Sequence, residues 1–153
     1  MAFPLTRRAS VTIAASIDPA KAAGRLAAAL ERARASRVRV RGTTVVFRVK
    51  FFRFVSNWNI LVPVDHGRFR VTGHAGSLVV HYELSFRRML GAATLMVCGF
   101  LAPMLILNGP PPGRPVRFAL VVLLWCLMFG SNYIIACARF PGFIRRAVTN
   151  PDE

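Results

Sequence analysis

Two stretches of this chain are too apolar and too long to lie free in water. Met89 to Leu107 (MLGAATLMVCGFLAPMLIL) runs 19 residues without a charge, and Phe118 to Ala138 (FALVVLLWCLMFGSNYIIACA) runs 21. A helix rises about 1.5 Å per residue, so each run matches the ~30 Å hydrocarbon thickness of a bilayer. Residues 108–117 between them read NGPPPGRPVR, and such a proline- and glycine-rich segment cannot continue a helix. The pattern predicts a transmembrane helical hairpin over 87–138, with spans 89–107 and 118–138 and loop 108–117. The competing arrangement, two helices buried in a soluble core, needs more surrounding protein than this chain offers.

Charge sets the expected orientation. Arg68, Arg70, Arg87 and Arg88 precede the first span, Arg139, Arg145 and Arg146 follow the second, and the loop holds only Arg114 and Arg117. The positive-inside rule then places both termini in the cytoplasm. Arg7-Arg8 is followed by an apolar stretch too short for a signal peptide, and Asp18 ends it. The whole chain of 153 residues carries 21 Lys+Arg against 6 Asp+Glu, a net charge of +15, with 54% hydrophobic residues. That hydrophobic content excludes disorder. The basic excess suits either nucleic acid or an anionic membrane surface, and the two apolar runs favour the membrane.

Residues 1–86 read as a cytoplasmic α+β domain. Ser10 to Ala14 alternates weakly as a strand. Asp18-Pro19 opens a helix, because Asp is a good N-cap and proline is tolerated in the first turn. Ala22, Leu26, Leu30 and Ala33 recur at helical spacing, and the helix is expected to end near Ser36. From Arg37 the period switches to two. Arg37–Arg41, Val45–Phe51, Arg68–Thr72 and Leu78–Phe86 read as strands, with Asp65-His66-Gly67 as a turn. One helix on a mostly antiparallel sheet of about five strands is the expected fold, joined to the first span without a linker. Residues 139–153 read as a basic interfacial tail in which Phe140 and Phe143 interleave with arginine.

The alternation places Arg37, Arg39, Arg41, Arg48, Lys50, Arg68 and Arg70 on the sheet face opposite the apolar residues. With Arg87 and Arg88 they are the candidate contacts for anionic lipid head groups, because guanidinium chelates phosphate and each basic residue near such a surface contributes on the order of 1 kcal/mol. A solvated face that blunts the sheet edges is the plainer reading of the same residues. Nucleic acid is disfavoured, because Phe47, Phe51, Phe69 and Tyr82 fall on the opposite face from the arginines and cannot stack bases beside them. Phe52, Phe54 and Trp58 belong to an aromatic-rich stretch in which not every ring can pack under one short helix; core packing is the plainer reading, and contact with the lipid interface or a membrane partner the sharper one. Ser131 and Asn132 in the second span are candidates for helix–helix contact, within the hairpin or between copies of the chain. Pro103 is expected to kink the first span.

Chemistry-bearing patterns are absent from the sequence. Cys98, Cys126 and Cys137 all lie in the spans with no CxxC partner, which suits apolar packing and gives no disulfide or zinc framework. His66, His74 and His81 lack metal-ligand spacing, and no nucleophile, phosphate-loop or dinucleotide motif occurs. The expectation is a non-enzymatic protein with no catalytic residue, cofactor or metal.

The opening strand, Ile17-Asp18-Pro19 and the helix with Leu26 and Leu30 resemble the start of START-like ligand-binding domains over about 25 residues. The resemblance implies a helix packed on a sheet. The long closing helix of that fold is expected to be missing, its place taken by the two spans, and no ligand pocket is carried over. The layout also resembles small bacterial inner-membrane proteins. The leading expectation is thus a two-span membrane protein whose domain engages anionic lipid, a membrane-protein partner or a second copy of itself. The alternatives are a tethered binder of a small apolar ligand, in a cavity lined by Phe47, Phe69 and Tyr82, and a nucleic-acid tether.

Overall fold

The strands form where apolar and polar residues alternate, and their apolar sides decide where the helices must go. In a computed structural model, residues 5–50, 60–74, 76–101, 103 and 114–150 are described. The elements are β1 (Thr6–Ile13), α1 (Pro19–Arg32), β2 (Arg37–Arg41), β3 (Thr44–Arg48), β4 (His66–His74), β5 (Ser77–Ser85), α2 (Arg87–Met96) with a π-helical turn Val97–Leu101, and α3 (Arg114–Thr149). The fold is α+β, as expected.

All five strands join one antiparallel sheet in the order β1-β5-β4-β3-β2. Strands β2 to β5 form a meander, and β1 returns to pair with β5. The segment α1 must therefore carry the chain from one sheet edge to the other, across the inner face. Its start is capped by Asp18, whose carboxylate accepts the backbone N–H groups of Ala20 (3.0 Å) and Lys21 (3.1 Å). Ala22, Ala23, Leu26 and Leu30 then sit fully buried against Val45, Phe47, Phe69, Val71, Val80 and Leu84.

Asp65-His66-Gly67 is not the turn the sequence suggests. His66 and Gly67 begin β4, and Gly67 pairs with Phe47 across the ladder. A Cβ on Gly67 would come within 2.5 Å of Phe47 Cε1 and 2.9 Å of Leu84 Cδ2. The glycine is there so that a ring can lie over the strand, a packing demand that overrides its turn preference.

The C-terminal half of α3 completes the inner layer. Phe140, Ile144, Ala147 and Val148 are buried in the same core as α1 and the sheet. Rings follow one another from Phe47, stacked on Phe69 (5.5 Å), to Tyr82, tilted against Phe69 (6.5 Å), and to Phe140, stacked on Tyr82 (6.4 Å). Arg25 of α1 donates to the Val148 carbonyl at 2.7 Å, satisfying one of the open carbonyls at the end of α3. Two expectations are corrected here. A long helix does close the sheet, and residues 139–149 are the last turns of that helix, with Phe140 in the core.

The expected pair of full-length spans is also corrected. Among the described residues one helix is long and apolar enough to cross a membrane, Phe118–Thr149 within α3. Only 6% of its most apolar stretch is buried in the protein, unlike a core helix. The first apolar run is regular α-helix only to Met96 and then widens into the π turn Val97–Leu101. The physical reason follows in the sequence. Pro103 has no N–H to offer the preceding turn and its ring crowds it, and local π widening relieves such a conflict.

Candidate functional site

Helices α2 and α3 leave the sheet together as an antiparallel pair. Phe86 packs edge-on against Tyr133 (5.0 Å), and further out the Trp125 indole N–H donates to the Thr94 hydroxyl (2.9 Å). Trp125, Phe129 and Tyr133 stack along α3 (5.5 and 6.0 Å). Beyond the sheet the outward surface is apolar: Leu95, Met96, Phe118, Leu123 and Leu127 are all more than half exposed. Ser131 and Asn132 do not join the two helices. Each donates to a carbonyl of its own helix, Leu127 and Met128 respectively, and each is exposed on the pair's outer side. A polar link within the pair is Trp125–Thr94; Thr94 stands out in the sequence as a polar residue of the first apolar run, but nothing there pairs it with Trp125.

Where the pair meets the sheet, two groups lock the joint. The Asp65 carboxylate, buried, accepts the Arg88 backbone N–H at 2.8 Å and faces the Ser85 hydroxyl at 3.5 Å, so it caps α2 from a distant loop. Arg7 of β1 lies against α3. Cys137 first, then the hydroxyls of Tyr133 and Tyr82, hold its guanidinium above the ordinary arginine range, against the opposing effect of burial. Among the described residues its buried Nε has no hydrogen-bond partner.

The basic face is present, and the strand register orders it. On the outer sheet face, one row across the strands reads Arg37, Arg48, His66, Ser85, Thr6. The next reads Arg39, Val46, Arg68, Glu83, Arg8, and the third Arg41, Thr44, Arg70, His81, Ser10. Rows are about 7 Å apart along the strands and residues within a row about 5 Å apart. All seven arginines on this face are exposed. Among the described residues one ion pair relieves the crowd, Arg8 with Glu83 at 3.1 Å.

The first row is special because it lies at the strand ends from which α2 departs. There Arg37, Arg48, Lys50, His66, Arg87 and Arg88 line an open groove of about 450 Å³, which Asp65 also borders. The face thus separates into a near row that meets the start of the apolar helices and two rows progressively farther away. The aromatic candidates Phe52, Phe54 and Trp58 lie outside the described residues. Phe47, Phe69 and Tyr82, named as a possible cavity lining, are buried in the ring stack that ends on Phe140. Among the described residues no cluster of His, Cys, Asp and Glu could hold a metal ion.

No family model matches the chain, and no curated protein matches it. Among solved structures it is similar to the di-domain ARO/CYC BexL from the BE-7585A biosynthetic pathway, at 14% identity and a TM-score of 0.29. The likeness covers 97% of this chain and 52% of that one, so the chain spans about half the length of that protein. At so low a TM-score it carries no argument about fold or function.

Proposed function

We propose that this is an integral membrane protein of a bacterial inner membrane, with both termini cytoplasmic. In this reading α3 crosses the bilayer, and the apolar run 89–107, which begins with α2 and its π turn, crosses it in the opposite sense. The α+β domain rests on the inner leaflet as a non-enzymatic module that engages anionic phospholipid. The observation that carries the reading is a juxtaposition: the exposed apolar helix pair and the nearest row of arginines leave the same end of the sheet. A bilayer covering Leu95, Phe118, Leu123 and Leu127 would bring its head groups to Arg37, Arg48, Lys50, Arg87 and Arg88. Basic residues at that level are attracted to anionic lipid by about 1 kcal/mol each. Arg139, Arg145 and Arg146, exposed on the last turns of α3, extend the same excess of positive charge on the domain side.

The test has two parts. Alkaline carbonate should leave the full chain in the membrane pellet. With the native cysteines replaced, Thr72→Cys should react with a membrane-impermeant maleimide only after permeabilisation, and Gly109→Cys should react in intact cells. Extraction into the carbonate supernatant would refute insertion, and the reverse labelling pattern would refute the orientation.

A further inference from the structure

We propose that the groove at the near strand ends is a binding site for the phosphate of an anionic phospholipid, with the lipid's chains lying along α2. The inference rests on the membrane-insertion reading above and adds to it a specific place and stoichiometry. Three observations converge on it.

The first is unbalanced charge. Arg37, Arg48, Lys50, Arg87 and Arg88 come from β2, β3, the residues after β3, and α2, and all five line one groove. Among the described residues none of the five has an ion-pair partner. The one carboxylate there, Asp65, is engaged with the Arg88 backbone N–H and with Ser85. Like charges gathered this closely oppose one another unless an anion sits among them.

The second is donor chemistry. Guanidinium groups grip phosphate oxygens through two parallel N–H bonds. Arg88 Nη1 donates to the Val49 carbonyl at 3.4 Å, which ties its side chain to the groove wall.

The third is what lies next to the groove. Arg88 and Leu95 are seven residues apart and so share a face of α2. Leu95 is 71% exposed and Met96 52%. They lie about 11–12 Å along the helix from Arg88, at acyl-chain depth for a lipid whose phosphate is in the groove. Gly91, on the same face, has open space where a side chain would be. A free phosphate would have no use for this apolar strip, and a phospholipid would.

The experiment is native mass spectrometry of the full chain, released from detergent micelles doped with phosphatidylglycerol or phosphatidylcholine. One phosphatidylglycerol should be retained at least tenfold better than phosphatidylcholine. The pair Arg37→Glu/Arg48→Glu should lose that retention at least tenfold. The pair Arg41→Glu/Arg70→Glu, with the same change of charge in the third row, should change it less than twofold. Arg37→Gln/Arg48→Gln, which removes charge without reversing it, should also lose most of it, and circular dichroism should show both pairs folded. Inorganic phosphate at millimolar concentration should not displace the lipid. Equal losses from the near and far pairs would mean diffuse attraction, and the groove proposal would fall while the membrane reading stood. Displacement by inorganic phosphate would make the groove a site for a soluble anion and overturn the lipid proposal. No preference for phosphatidylglycerol in a chain that resists carbonate would sink the groove alone. A chain that carbonate extracts would take both readings with it.

Discussion

Asp65 and Gly67 show how much one residue can carry at the joint between sheet and helices. The Asp65 side chain is buried, and its Oδ2 accepts from both the Arg88 backbone N–H and the Ser85 hydroxyl. Replacing it with alanine leaves those donors unsatisfied, at a cost of about 1–3 kcal/mol. The expected outcome is a Tm lowered by several degrees for Asp65→Ala in detergent, and a smaller drop for Asp65→Asn, which keeps an acceptor. An unchanged Tm for Asp65→Ala would mean the cap is idle. Gly67→Ala drives a methyl group into Phe47 and Leu84, and such overpacking costs about 1–3 kcal/mol. Thermal unfolding of the variant checks it. These two residues were not legible in the sequence, because Asp-His-Gly has the composition of a turn and only the partner strand reveals otherwise. The arginines were legible, because alternation alone separates Arg37, Arg39, Arg41, Arg68 and Arg70 from Val38, Phe69 and Val71. Their ordering into near and far rows was not, since it depends on register and on where α2 begins.

A single element, α3, combines two different environments. From Phe118 to Leu127 its surface is apolar and exposed, and from Phe140 to Val148 it is core. Phe140→Ala removes a fully buried ring that stacks on Tyr82 and meets Phe143 edge-on, which costs about 3–5 kcal/mol. Leu123→Ala, on the exposed side, should shift unfolding in detergent by less than about 0.5 kcal/mol, as surface changes away from packed features do. Chemical denaturation of the two variants distinguishes a core half from a free half, and similar shifts would contradict that division. Thr94→Val removes the hydroxyl that accepts from Trp125, worth roughly 1 kcal/mol if the pair lies in a bilayer, and should shift Trp125 fluorescence to shorter wavelength in a Trp58→Phe background. The apolar run of α3 was plain in the sequence. Its continuation was hidden by Pro141-Gly142, which reads as a break. The helix passes through Pro141 all the same. Burial of Phe140, Ile144 and Val148 on both sides of the proline outweighs the lost hydrogen bond.

At the scale of the molecule, the sequence suggests two separable modules, a domain ending near residue 86 and a membrane part after it. The strands support that division, since the period-two pattern located all five of them. The core does not. The inner face of the sheet is covered by α1 and by the last turns of α3, so the chain must finish before the domain can close. Burying side chains the size of Phe140, Ile144 and Val148 stabilises by about 1.5–3 kcal/mol each. Their total is comparable with the ~5–15 kcal/mol by which a whole domain is stable. Residues 1–86 made alone should therefore keep strand and helix content but lose fixed packing. The expected signature is retained far-UV and lost near-UV circular dichroism, strong dye binding to exposed apolar surface, and no cooperative thermal transition. Adding a peptide of residues 136–150 should restore part of that cooperativity. A fragment that instead unfolds sharply, unaffected by the peptide, would show that α3 merely lies on a finished domain. Lipid binding by residues 1–86 would then report faithfully on the arginine face. If the fragment is loose, only the full chain presents its near row of arginines in register, and the proposed membrane contact depends on the helix that completes the core.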